Sequence, residues 1–133
     1  IWHYARGRAL AARGDVAGAT AELTALRTLA EAATRAPMRL EFNTHADILA
    51  IAREVLAGHV AAAAGDHASA VERLREAARR EDALTYGEPP EWSVPVRQEL
   101  GEALLADGRP AEAARAFRED LARFPENAWS VRG

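Results

Sequence analysis

The residues that could do metal or acid–base chemistry in this chain are four histidines with no common spacing. They are His3, His45, His59 and His67, and no two of them lie three or four residues apart, the separation that places two side chains on one face of a helix. A zinc site needs three or four converging ligands. The pattern therefore predicts no metal site and requires no cofactor.

Nucleophilic chemistry finds equally little support. The chain has no cysteine, all 17 basic residues are arginine, and neither HExxH nor GxSxG occurs. These absences exclude cysteine nucleophiles, disulfides, Schiff-base lysines and the P-loop from this chain. We therefore expect a protein that is not an enzyme.

The stretch around Pro89-Pro90 is the least regular part of the sequence, and several charged and aromatic side chains lie close together in it. They are Glu81, Asp82, Tyr86, Glu88, Trp92 and Arg97. In one interpretation Arg97 pairs with one of the three carboxylates, while Trp92 and the prolines seal a gap between helices and the two aromatic rings are buried. In the other, the stretch forms a pocket for a small anionic ligand or ion, with Trp92 as an apolar wall and Arg97 as the anion-binding fork.

An internal repeat predicts the elements that position these residues. Gly7, Gly58 and Gly101 are each followed seven residues later by a second glycine, which marks a tight turn. After each turn comes an alanine with a larger apolar residue four positions on, a spacing that puts both on one helix face. These pairs are Ala19 and Leu23, Ala70 and Leu74, and Ala113 and Phe117. The unit is helix, turn, helix, with small residues where the two helices cross.

This unit resembles the tetratricopeptide repeat, whose 34-residue pattern has small residues at the crossing and a proline after the second helix. The best copy spans 94–127 and contains Leu100-Gly101, Ala113, Phe117 and Pro125, with Asp120 at a position where the family favours alanine. The other copies and the insertions between them are the ranges 1–33, 51–84, 34–50 and 85–93. The resemblance implies an all-α, right-handed solenoid of three hairpins, with a fourth beginning at Asn127-Ala128-Trp129.

Two N-caps are predicted at the edges of the insertions. Asn43-Thr44 should open a long helix that runs through Ala64. Ser93 should cap the next helix, with Pro95 tolerated in its first turn.

In the tetratricopeptide family, ligands usually lie on the concave face formed by the first helix of each pair. The resemblance places these residues on that face: Tyr4, Arg8, Val55, His59, Ala62, Gln98 and Glu102. His59 has two interpretations, a ring packed and satisfied between helices or a contact to a bound carboxylate or peptide backbone. We expect a scaffold that binds a peptide or partner protein; the alternative is a sensing or enzyme-accessory module that uses Tyr86 to Arg97.

The net charge and the hydropathy of the sequence indicate which classes of partner to expect. The net charge is −3, and arginines alternate with glutamates along 72–81, as on a solvated, ion-paired helix face. We therefore expect no nucleic-acid partner. No apolar run reaches the length needed to cross a bilayer, so we expect no membrane partner and a cytoplasmic location. Abundant alanine with arginine in place of lysine is typical of a GC-rich bacterial genome.

We also expect this sequence to be an excerpt of a longer chain. It begins at Ile1 and ends at Gly133 within a predicted helix. Phe124, Trp129 and Val131 are then expected to need cover from a further helix, because terminal repeats require a polar cap.

Overall fold

The protein is all-helical in the part of the chain that the structure describes. The computed structural model describes residues 1–125 and 128–132, with only the backbone of Ala128 and Trp129. Seven helices follow one another, and no strand forms within these ranges. The helices are α1 (Trp2–Ala12), α2 (Val16–Arg35), α3 (His45–Ala63), α4 (His67–Asp82), α5 (Val96–Ala106), α6 (Pro110–Arg123) and α7 (Ala128–Arg132).

The three predicted turns are confirmed as the tight connections of three helical hairpins. Gly14, Gly65 and Gly108 have φ values of +78°, +81° and +72°, a left-handed conformation that glycine adopts without a side-chain clash. Asp15 and Asp66 then cap α2 and α4, accepting hydrogen bonds from backbone N–H groups three residues on. Short connections of this kind force consecutive helices to lie side by side.

The small residues lie where helices approach most closely, as the repeat predicts. Ala19, Ala70 and Ala113 are at most 1% exposed. A Cβ added at Gly58 would lie 2.9 Å from Leu74 Cγ, and one at Gly101 would overlap the ring of Phe117. Glycine at these two positions is therefore required by packing against the second helix of each hairpin.

Each helix from α1 to α6 packs against the next, and α1 also packs against α3. Apolar residues of α2 and α3 form one buried cluster, and residues of α3 to α6 form a larger one. Tyr4 and Trp92 pack against both clusters. The aromatic side chains of the first helix and of the segment before α5 thus join the two parts of the core.

The N-cap predicted at Thr44 is confirmed, and the one at Ser93 is wrong. Thr44 and Asp47 form a reciprocal capping box at the start of α3, which ends with Ala64 as its C-cap. Helix α5 starts later than predicted, at Val96, and its N-cap position holds Pro95, outside the helix. The buried carboxylate of Glu81 accepts the Val96 N–H at 3.2 Å, so a distant side chain satisfies a free donor of this helix terminus.

The two segments outside the hairpins, 36–44 and 83–95, pack against each other. The Asn43 side chain accepts the Thr85 N–H at 2.7 Å and donates to the Thr85 carbonyl oxygen at 2.9 Å. Glu91 accepts from the Asn43 amide and from the Phe42 N–H. Tyr86, predicted to be buried, is 70% exposed, and the hydrogen bonds between the segments come from backbone groups, Asn43 and Glu91 rather than from this ring.

The end of the described chain contains one further short helix, α7. Ser130 Oγ donates to Asp120 Oδ2 at 2.6 Å, and both residues are buried. The acid that departs from the repeat pattern is thus bonded to the following helix. Val131 is 66% exposed. Asn127 and the Trp129 side chain, both part of the sequence prediction, lie outside the described residues.

Candidate functional site

The face shared by α1, α3 and α5 brings together three of the residues predicted to bind a partner. Tyr4 and Arg8 come from α1 and His59 from α3. They meet around Glu99 of α5, a residue that the sequence interpretation did not select. Glu99 directly follows the selected Gln98 in the sequence, but nothing local indicates that it receives two basic groups from other helices.

Glu99 is the centre of this network. Its carboxylate is 6% exposed, and its two oxygens have different partners. Oε2 lies 2.5 Å from His59 Nε2, and Oε1 lies 3.2 Å from Arg8 Nη1. The same Arg8 nitrogen donates to the Tyr4 hydroxyl at 2.9 Å. One buried carboxylate therefore fixes polar side chains from two other helices, and the charge is compensated inside the protein.

Aromatic contacts surround the Tyr4 end of this network. The Tyr4 and Trp92 rings meet edge to face, with centroids 5.6 Å apart, and Arg8 Cζ lies 5.5 Å from the Tyr4 centroid. Burial raises the pKa of the Tyr4 hydroxyl above its ordinary value, so the phenol stays protonated at neutral pH. The Tyr4 side chain is thus a neutral group held beside the Arg8 guanidinium.

The other residues predicted to lie on the concave face are partly buried in the core and partly exposed on the surface. Val55 is fully buried among apolar residues, so its assignment to a binding surface is wrong; α3 is covered on more sides than the repeat pattern alone suggests. Gln98 is half-buried, and Ala62 and Glu102 are exposed. The accessible polar part of this face is therefore formed by Arg8, His59, Gln98 and Glu102.

The second predicted set, around Pro89-Pro90, does not form the anion site of the ligand hypothesis. Arg97 donates to both oxygens of Asp82, at 2.7 and 2.6 Å, and its Nε lies 3.4 Å from Glu119. These bonds raise the pKa of Arg97 and lower that of Asp82. Because the fork is already filled by a carboxylate of the protein, Arg97 acts as a structural partner.

Trp92 does line a cavity, as the ligand hypothesis requires, but without Arg97. The cavity has a volume of about 90 Å³ and continues into an open groove of about 660 Å³. Tyr86, Trp92, Phe124 and Arg123 line both. Tyr86 also donates a hydrogen bond to Glu88 at the mouth of the groove.

Glu81 is the buried acid of this cavity. Its side chain is 5% exposed, and its hydrogen bond to Val96 N–H spans 3.2 Å. Burial raises the pKa of Glu81 to about 7, against the opposing effects of the Val96 bond, Arg123 and Arg97. The group therefore changes charge near neutral pH.

The arginines of α4 form ion pairs as predicted for a solvated face. Arg75 bonds Glu72 and Glu112, while Arg79 and Arg80 pair with Glu76. The part of the prediction that included Glu81 in this face is wrong, since Glu81 points into the cavity region.

The part of the chain that the structure describes contains neither a candidate metal site nor a candidate membrane span. No three acidic or histidine side chains converge there in a way that could hold a metal ion. No helix in the same ranges is both long and apolar enough to cross a bilayer.

The chain was compared with protein-family models, with curated proteins and with solved structures, and none of the three comparisons finds a match.

Proposed function

We propose that this chain is a tetratricopeptide-like solenoid scaffold whose inner face, formed by α1, α3 and α5, binds a peptide segment of a partner protein. The observation that carries the proposal is the Glu99 carboxylate, which holds Arg8 and His59 from two other helices. The repeated hairpins and the packing of α1 on α3 support a solenoid of stacked hairpins. A shared face of first helices is the surface that such a solenoid offers to a ligand.

The network suits the recognition of an extended peptide. Arg8 and His59 have side chains 32% and 30% exposed, so each is anchored through Glu99 and still reaches solvent. Fixing these side chains before binding reduces the conformational entropy lost on association. Gln98 and Glu102, on the same helix as Glu99, add an amide and a carboxylate that can pair with peptide N–H and C=O groups.

The same residues support binding rather than catalysis. Glu99 orients His59 as a carboxylate orients a catalytic base, but the hydrogen bond that His59 makes is to Glu99 itself. A hydrolytic site would also need a nucleophile within reach of that base. No serine, threonine or tyrosine hydroxyl among the described residues bonds to His59.

A peptide-library selection against the folded chain tests the proposal. Selected peptides are titrated by calorimetry into the wild type, His59→Ala, Arg8→Ala and the matched control His67→Ala, whose histidine is exposed at the start of α4. We expect at least a tenfold increase in Kd for the first two variants, about 1.4 kcal/mol or more, and no change for the control. A selection without binders, or peptides that bind all four proteins equally, would contradict the proposal.

A further inference from the structure

The cavity beside Trp92 has a chemistry distinct from that of the inner face. Three aromatic side chains line it, from the segment 83–95 and from the end of α6: Tyr86, Trp92 and Phe124. Leu84 and Pro90 complete the apolar part of the lining. A space of about 90 Å³ matches a small compact group rather than a peptide chain.

Acidic side chains dominate the polar part of this lining. Glu81 and Glu91 line the cavity and Glu88 lines the groove outside it, against a single basic side chain in both linings, Arg123. Arg123 Nη1 lies 2.5 Å from Asp82 Oδ1, a carboxylate that also pairs with Arg97, so Asp82 offsets part of the Arg123 charge. The excess of carboxylates gives the cavity a negative potential that favours a cation.

We propose that this cavity binds a small organic ammonium group, a quaternary or methylated amine, between the rings of Tyr86 and Trp92 with Glu81 as the counter-charge. Aromatic rings attract such cations through their quadrupoles, and an ammonium without N–H groups needs few hydrogen-bond acceptors. This matches a lining with mainly apolar walls and one buried carboxylate. The ammonium is carried either by a free small molecule or by a methylated lysine side chain, and the experiment below separates these sources.

The pH response of binding follows from the surroundings of Glu81. Asp82 on the same helix, Arg97 on α5 and Arg123 on α6 are the charged groups that act on it. Burial holds the pKa of Glu81 at about 7, and a bound cation favours the ionised carboxylate. Affinity is therefore expected to rise by up to tenfold between pH 6 and pH 8, as the ionised fraction rises from about one tenth to nine tenths.

The proposal is tested by titrating the protein with choline and, separately, with 3,3-dimethylbutan-1-ol, which has the same shape as choline without the charge. The NMR signals of the protein are recorded during each titration. Choline is expected to shift the indole signal of Trp92 and to bind at least tenfold more tightly than the alcohol. A short peptide with trimethyllysine is titrated in parallel. Tighter binding of the peptide than of choline assigns the ammonium to a protein side chain, and tighter binding of choline assigns it to a free small molecule.

Two pairs of variants control the result. Tyr86→Leu removes a ring that is 70% exposed, so this variant should keep its fold, and its affinity for choline should fall at least fivefold. Tyr86→Phe keeps the ring and should bind choline as the wild type does. Glu81→Gln should weaken binding at pH 8 and remove its pH dependence. Equal affinity for choline and the alcohol, no binding of either ammonium probe, or unchanged binding by Tyr86→Leu would overturn the proposal.

Discussion

Asp82 and Arg97 form a two-point ion pair, with Nη1 2.7 Å from Oδ1 and Nη2 2.6 Å from Oδ2. Arg123 also contacts Asp82, so this carboxylate joins the end of α4 to α5 and α6. Glu99 joins α1, α3 and α5 in the same manner. Two acids, each shared by basic side chains from two other helices, thus connect elements that are distant in sequence.

Because of the Asp82–Arg97 ion pair, we expect Arg97→Ala to lower the free energy of unfolding moderately. The Arg97 side chain is 18% exposed and Asp82 is 39% exposed, so solvent screens part of the interaction. A bidentate pair with these exposures should contribute about 1–2 kcal/mol to the free energy of unfolding. Urea unfolding of Arg97→Ala, with exposed Arg118→Ala as the control, measures the difference. Equal midpoints for the two variants would show that the pair adds nothing.

A larger side chain at Ala113, where α5 and α6 cross, is expected to destabilise the protein. Ala113 is completely buried, close to the contact between Gly101 and Phe117. Ala113→Leu should lower the free energy of unfolding by about 1–3 kcal/mol, because a well-packed core must shift to accept three more carbons. Ala111→Leu, on an exposed position of the same helix, is the matched control and should be nearly neutral. If both variants unfold alike in urea, the crossing has room that the structure does not show.

The hairpins were predictable because their determinants are local. A glycine with positive φ ends each first helix, and alanine or glycine at the crossing is required by backbone proximity. Both demands appear in the sequence as residue types at fixed spacings, so Gly65 and Ala70 can be recognised without knowing what they contact. The start of α3 was predictable in the same way, because Thr44 is a residue type that caps helix N-termini.

The sites were less predictable because their contacts join distant residues. Asn43 bonds Thr85 across 42 positions, and Glu99 receives His59 across 40. Nothing in the residues adjacent to Asn43 or Glu99 specifies these partners, since they depend on how successive hairpins stack. The N-cap error at Ser93 has the same origin, because Glu81 supplies the acceptor from another helix.

Asn43 is expected to be the main link between the two irregular segments. It is 9% exposed and exchanges two hydrogen bonds with the Thr85 backbone. Asn43→Ala removes both hydrogen bonds from the part-buried Thr85 backbone groups and should cost about 2 kcal/mol. Thr85→Ala keeps the backbone partners and should be nearly neutral in the same thermal or urea unfolding measurement. A larger loss in Thr85→Ala than in Asn43→Ala would contradict this assignment.

The buried Glu81 makes the stability of the protein depend on pH in a direction opposite to that of a salt-bridged acid. Its folded pKa of about 7 lies above its ordinary value of 4.5 because of burial, so the native state retains a proton that the unfolded state releases. The resulting stabilisation is complete below pH 4.5 and is lost as the pH rises to about 7, by up to about 3 kcal/mol. Glu81→Gln can keep the bond from Val96 N–H and cannot ionise. We therefore expect this variant to match the wild type at low pH and to exceed its unfolding free energy at pH 8, in urea titrations at intervals between the two.

Glu88→Gln, on an exposed residue of the same region, is the control and should follow the wild-type pH curve. A Glu81→Gln curve parallel to that of the wild type would show that Glu81 does not titrate in this range.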